Sequence, residues 1–547
     1  MPCTTLLVGK KASYDGSTII ARNEDSPGGV FTPKKLAVVQ PADQPRHYRS
    51  VQSHVEIDLP ENPMRYTAVP DAIPKDGIWA AAGVNEKNVA MSATETLTSN
   101  ERVLGADPLV ALVPAQGEEG ADDYLPETPG GIGEEDMVTI VLPYISSARE
   151  GVLLLGSYLE RFGTYEMNGI AFSDADEIWW LETVGGHHWI AARVPDDCYV
   201  TMPNQLGIDA FDLKDALGNG KDFLCSADLA EWMDANHLDL TLDYEGDGPV
   251  GFAERERAVD SEDLIPGTRV HRLFNPREAF GSHSDADHVY NTPRAWDLHR
   301  FLNPRLGWNR PDANWGPEDD DIPWALPPAR KVTIEDVKYA LSLHYQGTPY
   351  DPYGAAGTPA TRGSYRPIGI NRNGQLAVIQ LRPYGPEECR ALQWMAFGSN
   401  AFNALVPLFT NVNRVPEYLS NTGAQVTTES FYWTNRIVAA LADAHFNACA
   451  AHIERYQEAV GSRGHALVAK ADAAMAGLEK DDAGANSPAA AAGGASTASA
   501  ASGAAEVLES ANDEICVMLR EKTDELLDNV LLAASLGMKN AFARSDG

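Results

Sequence analysis

The chain opens with two short runs of aliphatic and β-branched residues, CTTLLVG (3–9) and STIIAR (17–22), with KKASYDG between them. Runs of this length rich in Thr, Val, Ile and Leu read as strands, and Asp15-Gly16 is a turn signal. The pattern therefore predicts a β-hairpin that begins almost at the first residue. Similar runs lie at 35–41, 79–83, 88–94, 168–173, 177–183, 187–194 and 198–202. Asp174-Ala175-Asp176 and Gly185-Gly186 punctuate the later ones, which predicts an antiparallel meander. A further hairpin is expected over 363–383, with Asn373-Gly374 as its turn.

Helical spacing interrupts the strands at 134–163, where a helix is expected after Ser146, and again at 222–235 and 293–303. Longer helical sequence covers about 428–479 and 506–540, read as an amphipathic pair lying on a sheet face. Strands and helices in segregated blocks argue for an α+β fold with antiparallel sheets rather than a doubly wound parallel one. Between the last two helices lies DDAGANSPAAAAGGASTASAASGAA, which has too little side-chain surface to order itself. The expected organisation is a catalytic domain over 1–480, a flexible Ala/Gly/Ser-rich linker over 481–505, and a helical segment over 506–547 that packs on the catalytic domain.

Composition narrows the partners. Of 547 residues, 44% are hydrophobic and 22% charged, the balance of an enzyme with a large core. Forty-three basic against 78 acidic residues leave a formal charge of −35. Such a field repels phosphate backbones and anionic lipid, so neither nucleic acid nor a membrane surface is an expected partner. The six cysteines, at 3, 198, 225, 389, 449 and 516, form no CxxC pair and no regular framework. The amino terminus lacks the basic and apolar segments of a signal peptide, and no stretch approaches the ~20 apolar residues of a membrane span. A reducing, cytoplasmic setting is the expectation; homo-oligomerisation is left open.

The chemistry starts at Cys3. Were Met1 and Pro2 removed, Cys3 would carry a free α-amine beside its own thiol. The amine, with a reference pKa near ~8, could take the thiol proton and return it to a leaving amine, which is the acid–base work of amide cleavage. Position alone leaves open an inert thiol in a fraying end. Past the turn the chain reads Arg22-Asn23-Glu24-Asp25. Arg22 would stabilise a thiolate by Coulomb attraction, and Asp25 could hold the liberated amine toward sulfur. Taken alone, RNED is an ordinary charged hairpin end. Gly83-Val84-Asn85-Glu86-Lys87-Asn88 places Asn85 at a turn between strands, where its Nδ2 could donate to an oxyanion.

Cys3, the KKASYDGST turn, RNED and GVNEK together resemble the cysteine dipeptidases related to dipeptidase A, with the secernins as more distant relatives. EEDMVTIVLP (134–143), WWLETVGGHHWIAARVPDD (179–197), MPNQ (202–205), YNTPRAWDLHRFLNP (290–304) and HYQGTPYDPY (344–353) extend the resemblance over most of the chain. It implies the N-terminal-nucleophile hydrolase fold, a four-layer αββα sandwich of two antiparallel sheets, here with C-terminal helical additions. It also implies Cys3 as nucleophile, Arg22 and Asp25 as the strand-end pair, and Asn85 as oxyanion donor. Asn204 would correspond to the asparagine that positions amine and substrate carbonyl, and Arg294 to a later arginine near the nucleophile. The implied activity is dipeptide hydrolysis through a thioester, with no metal or organic cofactor. Only Met1-Pro2 precede the cysteine, so the Pro2–Cys3 bond must be opened by autolysis or by another peptidase.

Three rivals were weighed. A metal hydrolase could draw on HSDADH (283–288) or on His187-His188, but adjacent strand histidines face opposite ways, and a solvated polar turn explains the former. A silent secernin-like scaffold would make the acidic helices the functional part. An acylase of the penicillin V or bile-salt type would share the nucleophile but not the substrate. Trp179, Trp180, Trp189 and Trp296 read as core residues rather than pocket lining.

Overall fold

The computed structural model describes residues 3–28, 30–240, 274–308, 310, 313–485 and 497–539. Its principal strands, in chain order, are β1 (Cys3–Val8), β2 (Thr18–Asp25), β3 (Ala82–Val84), β4 (Ala90–Thr96), β5 (Asn168–Ser173), β6 (Ile178–Thr183), β7 (Trp189–Arg193), β8 (Tyr199–Met202), β9 (Phe223–Cys225), β10 (Ala325–Leu326), β11 (Asn373–Leu381), β12 (Ala391–Phe397) and β13 (Val406–Phe409). A seven-stranded antiparallel sheet runs β10-β8-β1-β2-β11-β12-β13, and a six-stranded one runs β9-β7-β6-β5-β4-β3.

The two sheets stack, with β1 and β2 lying against β4 and β5. Helices α1 (Glu134–Val141) and α2 (Ala148–Phe162) cover the outside of the six-stranded sheet. On the outside of the seven-stranded sheet lie α3 (Thr292–Leu302), α4 (Ile334–Ala340), α5 (Phe431–Asp443), α6 (Phe446–Ala485) and α7 (Thr497–Leu536). The result is the α+β, four-layer αββα sandwich that the resemblance implied. Because both faces of each sheet are covered, central strands such as β1, β2 and β6 are buried along their whole length rather than on alternate residues.

Strand parity divides the core. Leu7 and Ile20 turn into the space between the sheets, where they meet Ala171, Trp180 and Ala192. Leu6, Val8, Ile19 and Ala21 turn the other way, toward Leu298 of α3 and Val337 of α4. Val138 of α1 and Leu155 of α2 close the opposite side against Ile170, Phe172 and Trp179. Among the described residues no helix is long and apolar enough to cross a membrane.

Some expectations shift. Asn373-Gly374 is not a hairpin turn: it opens β11, which pairs with β2 and β12, while 363–372 is irregular. The turn closes earlier, with Asn373 N donating to Ile370 O at 3.1 Å. The predicted helix over 222–235 is strand β9 followed by a helix at Leu229–Ala235. His187 and His188 lie in the turn before β7, not in the strand, and both ring Nδ1 atoms face Asp107, at 3.0 and 2.7 Å. Helices α6 and α7 enter the Ala/Gly/Ser-rich linker from either side, as far as Ala485 and from Thr497. The rest of that linker, 486–496, lies outside the described residues.

Candidate active site

The β1–β2 register sets the geometry. Cys3 pairs with Glu24 and Thr5 with Arg22. Residues two apart share a face, so Cys3, Arg22 and Glu24 look toward the six-stranded sheet while Thr4, Asn23 and Asp25 look toward the helices. On the inner face, Arg22 Nη2 lies 2.9 Å from Cys3 Sγ and 2.6 Å from Glu134 Oε1. Its Nη1 reaches Ala81 O at 3.3 Å. Arg22 is 1% exposed and Glu134 3%. Burial alone would weaken the guanidinium's hold on its proton, but the charges of Cys3, Glu134 and Glu24 keep its pKa above the ordinary arginine value.

Glu134 is the first residue of α1, and the two residues after it, Glu135 and Asp136, are buried as well. Acidic groups in a first helical turn are favoured by the exposed N–H groups and the helix dipole. Here each also has a dedicated task. Glu135 Oε1 accepts from Ser50 Oγ and Gln52 N at 2.5 and 2.6 Å. Asp136 accepts from Tyr48 Oη at 2.6 Å and caps the helix through Gly133 N at 2.8 Å. Glu134 is left facing the arginine and the thiol.

Beside this group a second cation is buried. Lys34 Nζ bridges Glu24 Oε1 at 2.6 Å and Asp71 Oδ1 at 2.7 Å, and donates to Trp79 O at 3.0 Å. Trp79 and Ala81, whose carbonyls serve Lys34 and Arg22, both have positive φ, 50° and 58°. Left-handed backbone at non-glycine residues costs about 1 kcal/mol or more each, and it is retained where the surroundings enforce it.

On the other face, Arg294 is completely buried and uses its whole guanidinium. Its Nη1 donates to Cys3 O and to Thr4 Oγ1, the latter at 2.7 Å. Its Nη2 donates to Asn204 Oδ1 and Asn291 Oδ1, both at 2.7 Å, and Nε donates to Tyr290 O at 2.8 Å. Asn204 Oδ1 also receives Cys3 N at 3.2 Å, while its Nδ2 donates to Thr96 O at 3.0 Å. Arg294 and Asn204 thus clamp the backbone of Cys3 on both sides of its Cα. Asp25 is held by two residues the sequence did not single out as site residues: Asn373 Nδ2 donates to Oδ1 at 2.5 Å, and Arg366 Nη2 pairs with Oδ2. Arg366 and Arg294 both stack on Tyr290, at 4.9 and 5.2 Å from its ring centre.

A cleft of ≈1100 Å³ opens next to Asn204, lined also by Thr96, Asp287, Tyr290 and Asn291.

Five of the six sequence-predicted residues, Cys3, Arg22, Asp25, Asn204 and Arg294, meet around the start of β1. Asn85 does not. Both Nδ2 protons are spent on Leu142 O and Ile145 O, at 2.9 and 2.7 Å, and Oδ1 accepts from Lys87 N and Val89 N, at 3.0 and 3.1 Å. A buried amide with every position filled braces the β3–β4 turn and has no proton to offer an oxyanion. Glu134, Arg366 and Asn373 were missed. The only cue to Glu134 was a pair of glutamates leading into an apolar helix. The HSDADH histidines, His283 and His288, both face Asp320 Oδ1, at 3.5 and 3.0 Å. Among the described residues, no three of His, Cys, Asp and Glu are grouped so as to hold a metal ion.

Two stacked antiparallel sheets covered by helices on both outer faces make the αββα sandwich of the N-terminal-nucleophile hydrolase fold. The sequence profile of Peptidase family C69 matches residues 2–459, and the chain belongs to that family. A protein of Bifidobacterium longum (strain NCC 2705) named dipeptidase is 57% identical over 564 aligned positions, spanning 100% of both chains. A probable dipeptidase A of Streptococcus pyogenes serotype M3 is 51% identical, again over 100% of both. Dipeptidase A of Lactobacillus helveticus is 45% identical over 81% of this chain and 82% of its own.

Proposed function

We propose that this protein is a dipeptidase in which Cys3, made the first residue by loss of Met1-Pro2, is the nucleophile. The observation that carries the reading is the 2.9 Å approach of Arg22 Nη2 to Cys3 Sγ in a buried setting, since a guanidinium there favours thiolate over thiol. The α-amine of Cys3 takes the thiol proton, and sulfur attacks the dipeptide carbonyl carbon. As the C–N bond breaks, the ammonium returns that proton to the departing amino acid, leaving a thioester. Water, giving a proton to the same amine, then adds to the thioester carbonyl; the C–S bond breaks, the ammonium returns the proton to the Cys3 sulfur, and the carboxylic product departs.

Asn204 and Arg294 are positioning groups, fixing the Cys3 nitrogen and carbonyl so that sulfur and amine stay aligned. Asp25, steadied by Arg366 and Asn373, supplies negative charge for the liberated ammonium. The catalytic unit is assigned to residues 1–480, and deleting part of the 481–505 linker should leave turnover intact. The deciding experiment pairs intact-mass and amino-terminal sequencing of active enzyme with dipeptide hydrolysis by Cys3→Ser. A mature chain beginning at Cys3 and an inactive variant are expected. Full activity with Met1-Pro2 retained, or turnover surviving in Cys3→Ser, would end the proposal.

A further inference from the structure

We propose that Lys338 is a positioning residue for this reaction, fixing the β12–β13 turn so that Asn400 and Asn373 hold the Asp25 carboxylate in place for the Cys3 amine. This rests on the dipeptidase reading above and deepens it, because Asp25 serves there as the counter-charge of the liberated ammonium. The contacts run in series. Lys338, on α4, donates from Nζ to Asn400 O at 2.6 Å and to Ser342 Oγ at 2.8 Å. Asn400 N donates to Asn373 Oδ1 at 3.2 Å, and Asn373 Nδ2 donates to Asp25 Oδ1 at 2.5 Å. Asn373 Oδ1 also accepts from Ile370 N at 3.0 Å. Two backbone donors on Oδ1 decide which way this amide points, and they turn Nδ2 to the carboxylate.

The side chain of Asn400 ties the same turn to β2 and to the end of α4. Its Nδ2 donates to Asn23 Oδ1 at 2.6 Å and to Leu341 O at 3.2 Å, and Asn23 Nδ2 donates to Leu341 O at 3.0 Å. Asn23, Asp25, Asn373 and Asn400 are each 0% exposed, so a bond lost among them leaves a buried polar group unmet. Lys338 is a costly occupant of its place. Burial lowers its pKa to about 7, and among the described residues no carboxylate lies within ion-pair distance of it. A methionine would fill the space without that cost. What the lysine adds is its donors, and the one that leaves its own helical segment goes to Asn400 O.

The test follows Ala-Ala hydrolysis, alkylation of Cys3 by iodoacetamide in alkaline buffer, and urea unfolding, all on processed enzyme. Lys338→Met should lower kcat ~10- to 100-fold, the scale of slipped positioning geometry, with KM unchanged. Its alkylation rate should match wild type, because in alkaline buffer the thiol gives up its proton without the amine. Val337→Ala, in the same helix and facing the core, should lower the urea midpoint and keep kcat. Asn373→Ala should also lower kcat, and in the double variant Lys338→Met/Asn373→Ala the two losses should not multiply, since both act through one carboxylate. If a variant of Asn373 fails to fold, the comparison of Lys338→Met with Val337→Ala decides. An unchanged kcat in Lys338→Met, a loss carried by KM or by alkylation, an equal kcat loss in Val337→Ala, or losses that multiply would overturn the assignment. A wild type inert on every dipeptide would instead remove the dipeptidase reading itself.

Discussion

Replacing Arg22 by glutamine removes the charge beside the Cys3 sulfur and should raise the thiol pKa while lowering stability, two effects that can be measured apart. A hydrogen bond to a charged group contributes about 1.5–3 kcal/mol, and one pKa unit corresponds to about 1.4 kcal/mol. Loss of the Nη2 contact at 2.9 Å therefore predicts an upward shift of about one to two units, and a thiolate fraction near neutrality reduced ~10- to 100-fold. The same substitution takes from buried Glu134 its 2.6 Å ion-pair partner, at a cost of about 3–5 kcal/mol. Alkylation of Cys3 by iodoacetamide as a function of pH reads the first effect, and urea unfolding reads the second. Arg22→Lys retains the charge but cannot span sulfur, Glu134 and Ala81 O together, so it should fall between wild type and glutamine in both. The double variant Arg22→Gln/Glu134→Gln should recover much of the stability but none of the thiol reactivity. An alkylation midpoint that stays at the wild-type pH in folded Arg22→Gln would refute the argument that this guanidinium governs the sulfur.

Asn85→Ala should cost about 2–4 kcal/mol, because two buried carbonyls and two buried amides lose their partner, yet kcat of the folded fraction should hold; a large kcat loss at unchanged stability would restore the oxyanion role. Arg294→Lys cannot reach all five acceptors of the guanidinium, and kcat/KM for dipeptides should fall ~100-fold, the scale seen when positioning geometry slips by an ångström; near-normal turnover would contradict the clamp. Glu182 is buried, and desolvation pushes its pKa up to about 7 against bonds from Trp180, Gly207 and Ile208. The folded state then holds the proton more tightly than the unfolded one, so stability is greatest below the unfolded carboxyl pKa and declines as pH rises toward about 7. Glu182→Gln should flatten that decline, and an unaltered pH slope in denaturant titrations would exclude Glu182 as its source.

What the sequence made legible was local. Cys3, Arg22 and Asp25 sit within one hairpin, and adjacent antiparallel strands with alternating parity suffice to place them. The strands and their antiparallel order were visible because buried strands leave apolar runs and turn residues punctuate them, while the two-sheet sandwich was implied by the family resemblance. The groups that complete the site come from far along the chain: Glu134 from the start of a helix, Arg366 and Asn373 from an irregular segment and the strand after it. Nothing in their immediate neighbours distinguishes them from solvated polar residues. Asn373-Gly374 was misread for a physical reason, since the amide that suggested a turn is instead committed to Asp25 and to Ile368 O. Asn85 carried the opposite error, a turn asparagine serving its own turn.

The alternation along β2 has a consequence for how this enzyme can change. Arg22 and Glu24 face the six-stranded sheet, while Asn23 and Asp25 face the helices, so a single inserted or deleted residue between Thr18 and Asp25 would exchange the two sets at once. Substitutions there can be absorbed one at a time, but a length change cannot. The connecting loop from Gly9 to Ser17 carries none of these groups, so a change of length there leaves the parity of β2 intact.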